Sequence, residues 1–178
     1  MKSPKYYSKG VETIDKNLIN DKINIIIENR SFQYNLKKIE NLEKQREFCK
    51  HDMPHFLDVA RLMYIISLEN TLNIPQYMIY ATALLHDIGR GEEYENGTAH
   101  DTASVKIASE ILKQCSYDIE EIDEIIEAIG NHRNNTEKLN SLSYILYKCD
   151  KLSRNCANCR AIYDCKWPVE KKNLKITY

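Results

Sequence analysis

Four histidines and two aspartates in this chain sit where one group of cations could be held. His55 opens the helical face His55–Val59–Leu62–Ile66, and His86 closes the face Ile79–Ala83–His86. His100 precedes an amphipathic run, and His132 continues the stripe Ile125–Ile129. In successive antiparallel helices a start, an end, a start and an end all fall at the same end of a bundle. Asp87 follows His86 directly, whereas Asp150 lies late in its own helix. Asp150 reaches the same place only if the connection through residues 134–140 returns to the other end. A buried carboxylate without a counter-charge is costly. A bound cation supplies that charge, and imidazoles with carboxylates suit Fe, Mn, Co, Ni or Zn. Such a metal lowers the pKa of bound water and makes a nucleophile at neutral pH.

The elements that must position these groups read as helices. Apolar residues recur at helical spacing in five segments: 51–72, 73–89, 100–114, 118–132 and 141–154. Asp52 and Pro54 mark one helix start, Asn73 and Pro75 another, and Gly89 a helix end. Asp118 and Glu121 fit a capping box. A weaker pattern runs from Val11 to Ile27, is broken by "SFQYN" at 31–35, and resumes through Leu36, Ile39 and Leu42. No alternating strand pattern and no internal repeat is present. The expected fold is an all-α helical bundle with a short Cys-rich C-terminal segment.

The 178 residues, 43% hydrophobic and 29% charged, suit one globular unit. The formal charge of -1 offers no bulk attraction for nucleic acid or an anionic membrane. No apolar run approaches the roughly 20 residues of a membrane span. The basic N-terminus lacks the apolar stretch of a secretory signal. A cytoplasmic location is the simplest expectation, and there the 6 cysteines stay reduced.

The ordered set resembles a known family. His55 with "FLDVA", His86–Asp87 within "LLHDIGR", and Asp150 within "YKCDKLSR" are similar to the H…HD…D signature of HD-domain metal-dependent phosphohydrolases. "HDMPHFLDVA" at 51–60 is a matching lead-in, and the likeness covers roughly residues 45–155. The resemblance implies an HD-domain-like bundle at 45–155, with a helical extension at 1–44 and a packed tail at 156–178. It implies His55, His86, Asp87 and Asp150 as ligands of a first metal. His100 and His132 match the extra histidines of binuclear members, in which the HD aspartate bridges two metals. The wording is similar to the small bacterial group that hydrolyses diadenosine tetraphosphate symmetrically. It departs from the cyclic-di-GMP phosphodiesterase branch, whose glycine-tyrosine-proline motif is absent. Asp58 stands where an arginine is usual.

The expected activity is cleavage of a phosphoester or phosphoanhydride of a nucleotide-like small molecule by metal-activated water. Charge developing on phosphorus needs cations. Arg90 and Lys151 are the candidates beside the reacting atoms, with Arg133 and Arg154 as phosphate contacts. His51 is a substrate-contacting or supporting residue. Glu92 and Glu93 could assist proton transfer, but an acidic loop exposed to solvent is the better account of them. Two rival functions stay open: a diiron oxygenase on the same ligand set, and a non-catalytic nucleotide or redox sensor.

The tail holds a further pattern. Cys149, Cys156, Cys159 and Cys165 follow C-x6-C-x2-C-x5-C, a candidate zinc or Fe–S site. Cys149 could instead be a small core residue. Cys49 and Cys115 have no evident partner in the sequence.

Overall fold

A computed structural model describes residues 16–133 and 141–175. The helices in order are α1 (Lys16–Glu28), α2 (Arg30–Leu42), α3 (Met53–Glu69), α4 (Gln76–Leu85), α5 (Arg90–Asn96), α6 (His100–Gln114), α7 (Ile119–Asn131) and α8 (Leu142–Leu152). Two short 3-10 turns follow, at Cys156–Asn158 and Val169–Lys171. No strand occurs among the described residues, as the periodicity predicts.

α4 is the centre of the bundle. Seven of its ten residues are buried, including Met78, Ile79 and the run Ala81 to Leu85. A helix apolar on every side must be enclosed by others. α3, α7, α1 and α8 pack around it. The α3 face is His55, Val59, Met63 and Ile66, with Met63 rather than Leu62 fully buried. One polar tie crosses three of these helices. Lys22 Nζ lies 2.9 Å from Glu121, which also accepts from Tyr77 Oη at 2.5 Å. The ammonium sits 4.3 Å from the Tyr77 ring centre and 4.9 Å from that of Tyr117. The predicted capping box of Asp118 and Glu121 is present, so Glu121 caps α7 and holds α1 and α4 at once.

Three boundaries differ from the sequence expectation. "SFQYN" does not break the first helical stretch but lies inside α2. The break falls at Asn29, whose side chain accepts from Ser31 N and Phe32 N and so caps α2. Phe32 then begins the buried stripe Phe32–Leu36–Ile39. α4 is preceded by Pro75, whose carbonyl accepts from Met78 N and Ile79 N, so Asn73 is not the cap. α4 also stops at Leu85, four residues before Gly89. Gly89 instead precedes α5, and its carbonyl accepts from Glu92 N at 3.0 Å. Residues 90–96 are therefore helical rather than a loop. α5 ends at Gly97, whose φ of 78° is the left-handed conformation that glycine adopts without strain.

Gly89 is also a point of close approach. A Cβ there would stand 2.7 Å from both the carbonyl carbon and the Cβ of Ala103, against the first turn of α6. Backbone cannot rotate out of the way as a side chain can. Gly89→Ala should therefore lower the free energy of unfolding by about 1–3 kcal/mol, read as a shift in the urea midpoint at unchanged m-value. A midpoint equal to wild type would show that α6 yields freely.

Candidate metal centre

The six predicted residues come from five helix ends. His55 lies in the first turn of α3, after the Asp52 side chain has accepted from its N–H at 3.1 Å. His86 and Asp87 follow the last residue of α4, and His132 follows that of α7. His100 is the first residue of α6, and Asp150 sits in the last turn of α8. The C-terminal ends of α7 and α8 thus meet at the site. The connection through 134–140 lies outside the described residues.

Every imidazole is oriented through Nδ1. His86 Nδ1 is 2.7 Å from Ala83 O, and His132 Nδ1 is 2.6 Å from Ile129 O. A carbonyl only accepts, so both rings carry the proton on Nδ1. His100 Nδ1 lies 3.0 Å from a Glu93 carboxylate oxygen. His55 Nδ1 lies 3.2 Å from Ser153 Oγ, whose own hydrogen goes to Asp150 O. All four Nε2 atoms then face the carboxylates. His55 Nε2 and His86 Nε2 lie 3.5 and 3.8 Å from Asp150 Oδ1, and His86 Nε2 lies 3.2 Å from Asp87 Oδ2. His100 Nε2 and His132 Nε2 lie 3.4 and 3.7 Å from Asp87 Oδ1.

Two groups result. His55, His86, Asp87 and Asp150 offer one set of donors, and Asp87, His100 and His132 another, each within 4.8 Å of one another. Asp87 belongs to both, through different oxygens. Metal–ligand bonds of about 2.1 Å leave neighbouring donors about 3.0–3.4 Å apart, close to the spacings seen. His55 Nε2 and His86 Nε2 are buried with no hydrogen-bond partner. Donors aimed inward without protein partners fit a divalent transition metal better than a hydrogen-bonded core. Nδ1 anchoring of this kind is also how proteins orient metal-binding histidines.

The electrostatics agree. Burial pushes the Asp87 carboxyl up, but the neighbouring His86, His132 and Arg90 hold it well below its ordinary range. Asp150 is held down in the same way against burial by His55, His86 and Arg154. Burial lowers His55 to about 4, so that ring is neutral. Burial opposes the charged form of His86 too, yet Asp87 and Asp150 raise it to about 9. The buried Asp87 and the partly buried Asp150 demand positive charge at this point, and a cation meets the same demand.

The predicted accessory residues divide. Arg90 donates from Nε to Asp87 Oδ1 at 3.1 Å and from Nη1 to Glu93 at 2.8 Å. Arg154 donates from Nη2 to Asp150 Oδ1 at 2.8 Å. Both arginines and His51 line a cavity of about 800 Å³ that opens over His55 and Asp150. Lys151 also pairs with Asp150, at 3.2 Å, but lies over the Tyr147 ring and outside that lining. Arg133 lies 3.7 Å from Asp101, half exposed and away from the cavity. Cys149 is fully buried in the hydrophobic core, while Cys156, Cys159 and Cys165 line the cavity. The structure therefore separates Cys149 from the other three tail thiols, because its side of α8 faces inward.

This fold and donor set define the HD domain class, and the HD domain family model matches residues 53–155. The chain belongs to that family. An uncharacterized protein of Clostridium beijerinckii is 45% identical over 158 residues, 89% of this chain and 99% of its own length. A ribonuclease Y of Acetivibrio thermocellus is 23% identical over 118 residues, covering 66% of this chain. The chain spans 21% of that protein's length. The fold also matches the crystal structure of a predicted HD superfamily hydrolase from an uncultured Thermotogales bacterium. There the TM-score is 0.59 at 23% identity, over 87% of this chain and 81% of the other.

Two supporting residues had little or no signal in the sequence. Glu93 supports both His100 and Arg90 because residues 90–96 are a helix. Glu43 lies just past the end of α2 and is 2% exposed. It accepts from His51 N at 2.7 Å and from Tyr94 Oη at 2.5 Å, and meets His51 Nδ1 at 2.5 Å. Burial raises the Glu43 carboxyl, but the His51 hydrogen bond and charge, aided by Tyr94, bring it down to about 2. A carboxyl held below its unfolded value stabilises the fold above the unfolded pKa. That stability is lost as pH falls through the folded value. Glu43→Gln should therefore flatten the loss of stability between about pH 4.5 and 2 and lower stability at neutral pH, measured by urea unfolding across that range. An acid limb as steep as wild type would remove Glu43 from this account.

Proposed function

We propose that the chain is a metal-dependent phosphohydrolase acting on a phosphoester or phosphoanhydride of a nucleotide-like small molecule. The observation that carries the reading is the juxtaposition of the donor groups joined at Asp87 with a cavity rich in cations. Arg46, Lys50, Arg90, Arg154, Arg160 and Lys166 line it against four carboxylates, Glu47, Asp52, Asp58 and Asp150. Asp150 is already taken up by the donor cluster. Phe48 and Trp167 supply apolar, stackable surface in the same cavity. Phosphate at the donor end and a base toward the aromatics is the ligand that such a cavity fits. The ribonuclease Y relative, by its name, points to the same class of bond.

His55, His86, Asp87 and Asp150, with His100 and His132 for a second ion, would hold Fe, Mn, Co or Ni. A divalent metal bound there supplies an acidified water and polarises a phosphoryl oxygen. The chain's own residues then do the rest. Arg90 and Arg154, each fixed by a ligand carboxylate, present guanidinium to phosphoryl oxygens as charge grows in the transition state. His51 stands with Nδ1 on Glu43 and Nε2 3.7 Å from Asp87 Oδ2. It is placed to give a proton from Nε2 to the leaving oxygen as the P–O bond breaks. Glu43 keeps that ring oriented. Lys151 keeps a lesser part, as a partner of Asp150.

The trial is hydrolysis of bis(nitrophenyl) phosphate and of dinucleoside polyphosphates after loading with Mn, Fe, Co or Ni. Arg90→Ala should lower kcat/KM about 10²-fold with metal content retained. His51→Gln should cost about 10²–10⁴-fold on an alkyl or sugar leaving group and far less on nitrophenolate, which needs no proton. Verified metal in the cluster with no turnover of any phosphoester would sink the proposal. Metal-dependent oxygen consumption in its place would favour the oxygenase.

A further inference from the structure

The donor cluster does not account for the cysteines. After α8 the chain turns back along the entrance of the cavity and is tied there by polar bonds. Asn173 Nδ2 donates to Lys151 O, Leu152 O and Arg154 O at 2.7, 3.2 and 3.0 Å. Ala157 N donates to Asn173 O at 3.1 Å, and Lys172 Nζ to Ile162 O at 2.9 Å. On the other side, the segment before α3 is held by Arg46 Nε, which donates to Cys49 O at 2.8 Å. Arg154 Nη1 reaches Lys50 O at 3.4 Å. These bonds bring residue 49 to face the tail. Cys49, Cys156, Cys159 and Cys165 all line one cavity, whereas Cys115 and Cys149 are buried in the core. Burial pushes the Cys49 thiol up, Arg154 draws it down, and Cys156, Cys159 and Cys165 push it up.

A second observation concerns what holds the tail. Between residues 155 and 175 only Cys156 and Ala161 are buried. Tyr163, Trp167, Val169 and Leu174 are exposed. A segment that buries so little apolar surface cannot offset its ordering entropy by a core of its own. Small units of this kind are commonly ordered by a structural metal.

We propose that Cys49, Cys156, Cys159 and Cys165 form a four-thiolate site for a zinc ion, separate from the HD donor cluster. Cys156 and Cys159 supply a C-x2-C pair from one turn, closed by Cys159 N donating to Cys156 O at 3.2 Å. Cys165 comes from the same segment and Cys49 from across the cavity. Zinc takes four such sulfurs in a tetrahedron. Among the described residues, the groups with donors within 4.8 Å of one another are the two His/Asp sets. The thiols are more widely set, so zinc binding draws the tail toward residue 49. Zinc with four thiolates carries a net charge of about -2. Lys50, Arg154, Arg160 and Lys166 around the same cavity offset it. The assignment does not rest on the phosphohydrolase reading.

The test loads the full chain, reduced and metal-free, with cobalt as a spectroscopic stand-in for zinc. A thiolate-to-cobalt charge-transfer band is expected, lost on adding zinc. Cys49→Ser and Cys159→Ser should lose the band and one equivalent of tightly held zinc. Cys149→Ser should keep both, and so should Asp87→Ala, which disables the other cluster. In the wild-type chain, zinc should slow modification of Cys49 by a thiol reagent at least about tenfold, reversed by a chelator. The proposal falls if no band forms, if Cys49→Ser retains it, if zinc leaves thiol reactivity unchanged, or if the isolated chain carries an iron–sulfur chromophore.

Discussion

The carboxylate of Asp87, 1% exposed, is the constraint around which the molecule is organised. An anion at that depth is tolerable only when surrounded by donors or cations. His86, His100 and His132 face it from three helix termini, and His51 and Arg90 flank it. Each of those groups is in turn held by something else: a backbone carbonyl, Glu93 or Glu43. The enclosure of α4 puts this carboxylate at the centre, because Asp87 follows the most buried helix in the fold. Two oxygens of one side chain then serve two donor groups, which links the groups electrostatically as well as in space.

Much of this was legible in the residues. The stripes of α3, α6, α7 and α8 are amphipathic at helical spacing, and polar caps such as Asp52 and Asp118 announce their own function. Histidines at stripe ends are legible for the same reason: a helix end is where a buried face meets polar chemistry. Other parts were illegible for physical reasons. Asn29 caps α2 from within an apparently continuous polar stretch, and only the burial of Phe32 distinguishes break from helix. α5 is short and acidic, with Gly91 its buried residue, so periodicity has little to act on. Glu43 sits in an ordinary charged run and becomes special through contacts at separations of 8 and 51 residues. Cys49 lies 107 residues before Cys156, a distance no local motif spans.

The cavity joins the two halves of the site. Its inner wall is built from helix termini that the core holds rigid. Its outer wall is the tail, held by side chain–backbone bonds and little buried surface. Rigid groups at the donor cluster and a separately tied outer wall allow the cavity lining to change without disturbing the donor cluster. The cations follow the same division. Arg90 and Arg154 are locked to Asp87 and Asp150, while Arg160 and Lys166 belong to the outer segment.

The three carbonyls met by Asn173 lie in and just beyond the last turn of α8. The final carbonyls of a helix have no partner within it, and such ends fray. One amide from the far end of the described chain closes this one. Asp150 lies one residue before the first of those carbonyls, so the splint ends beside a predicted ligand. The position of that carboxylate is thus maintained from outside its own helix, and the tail governs how firmly one corner of the donor cluster is held.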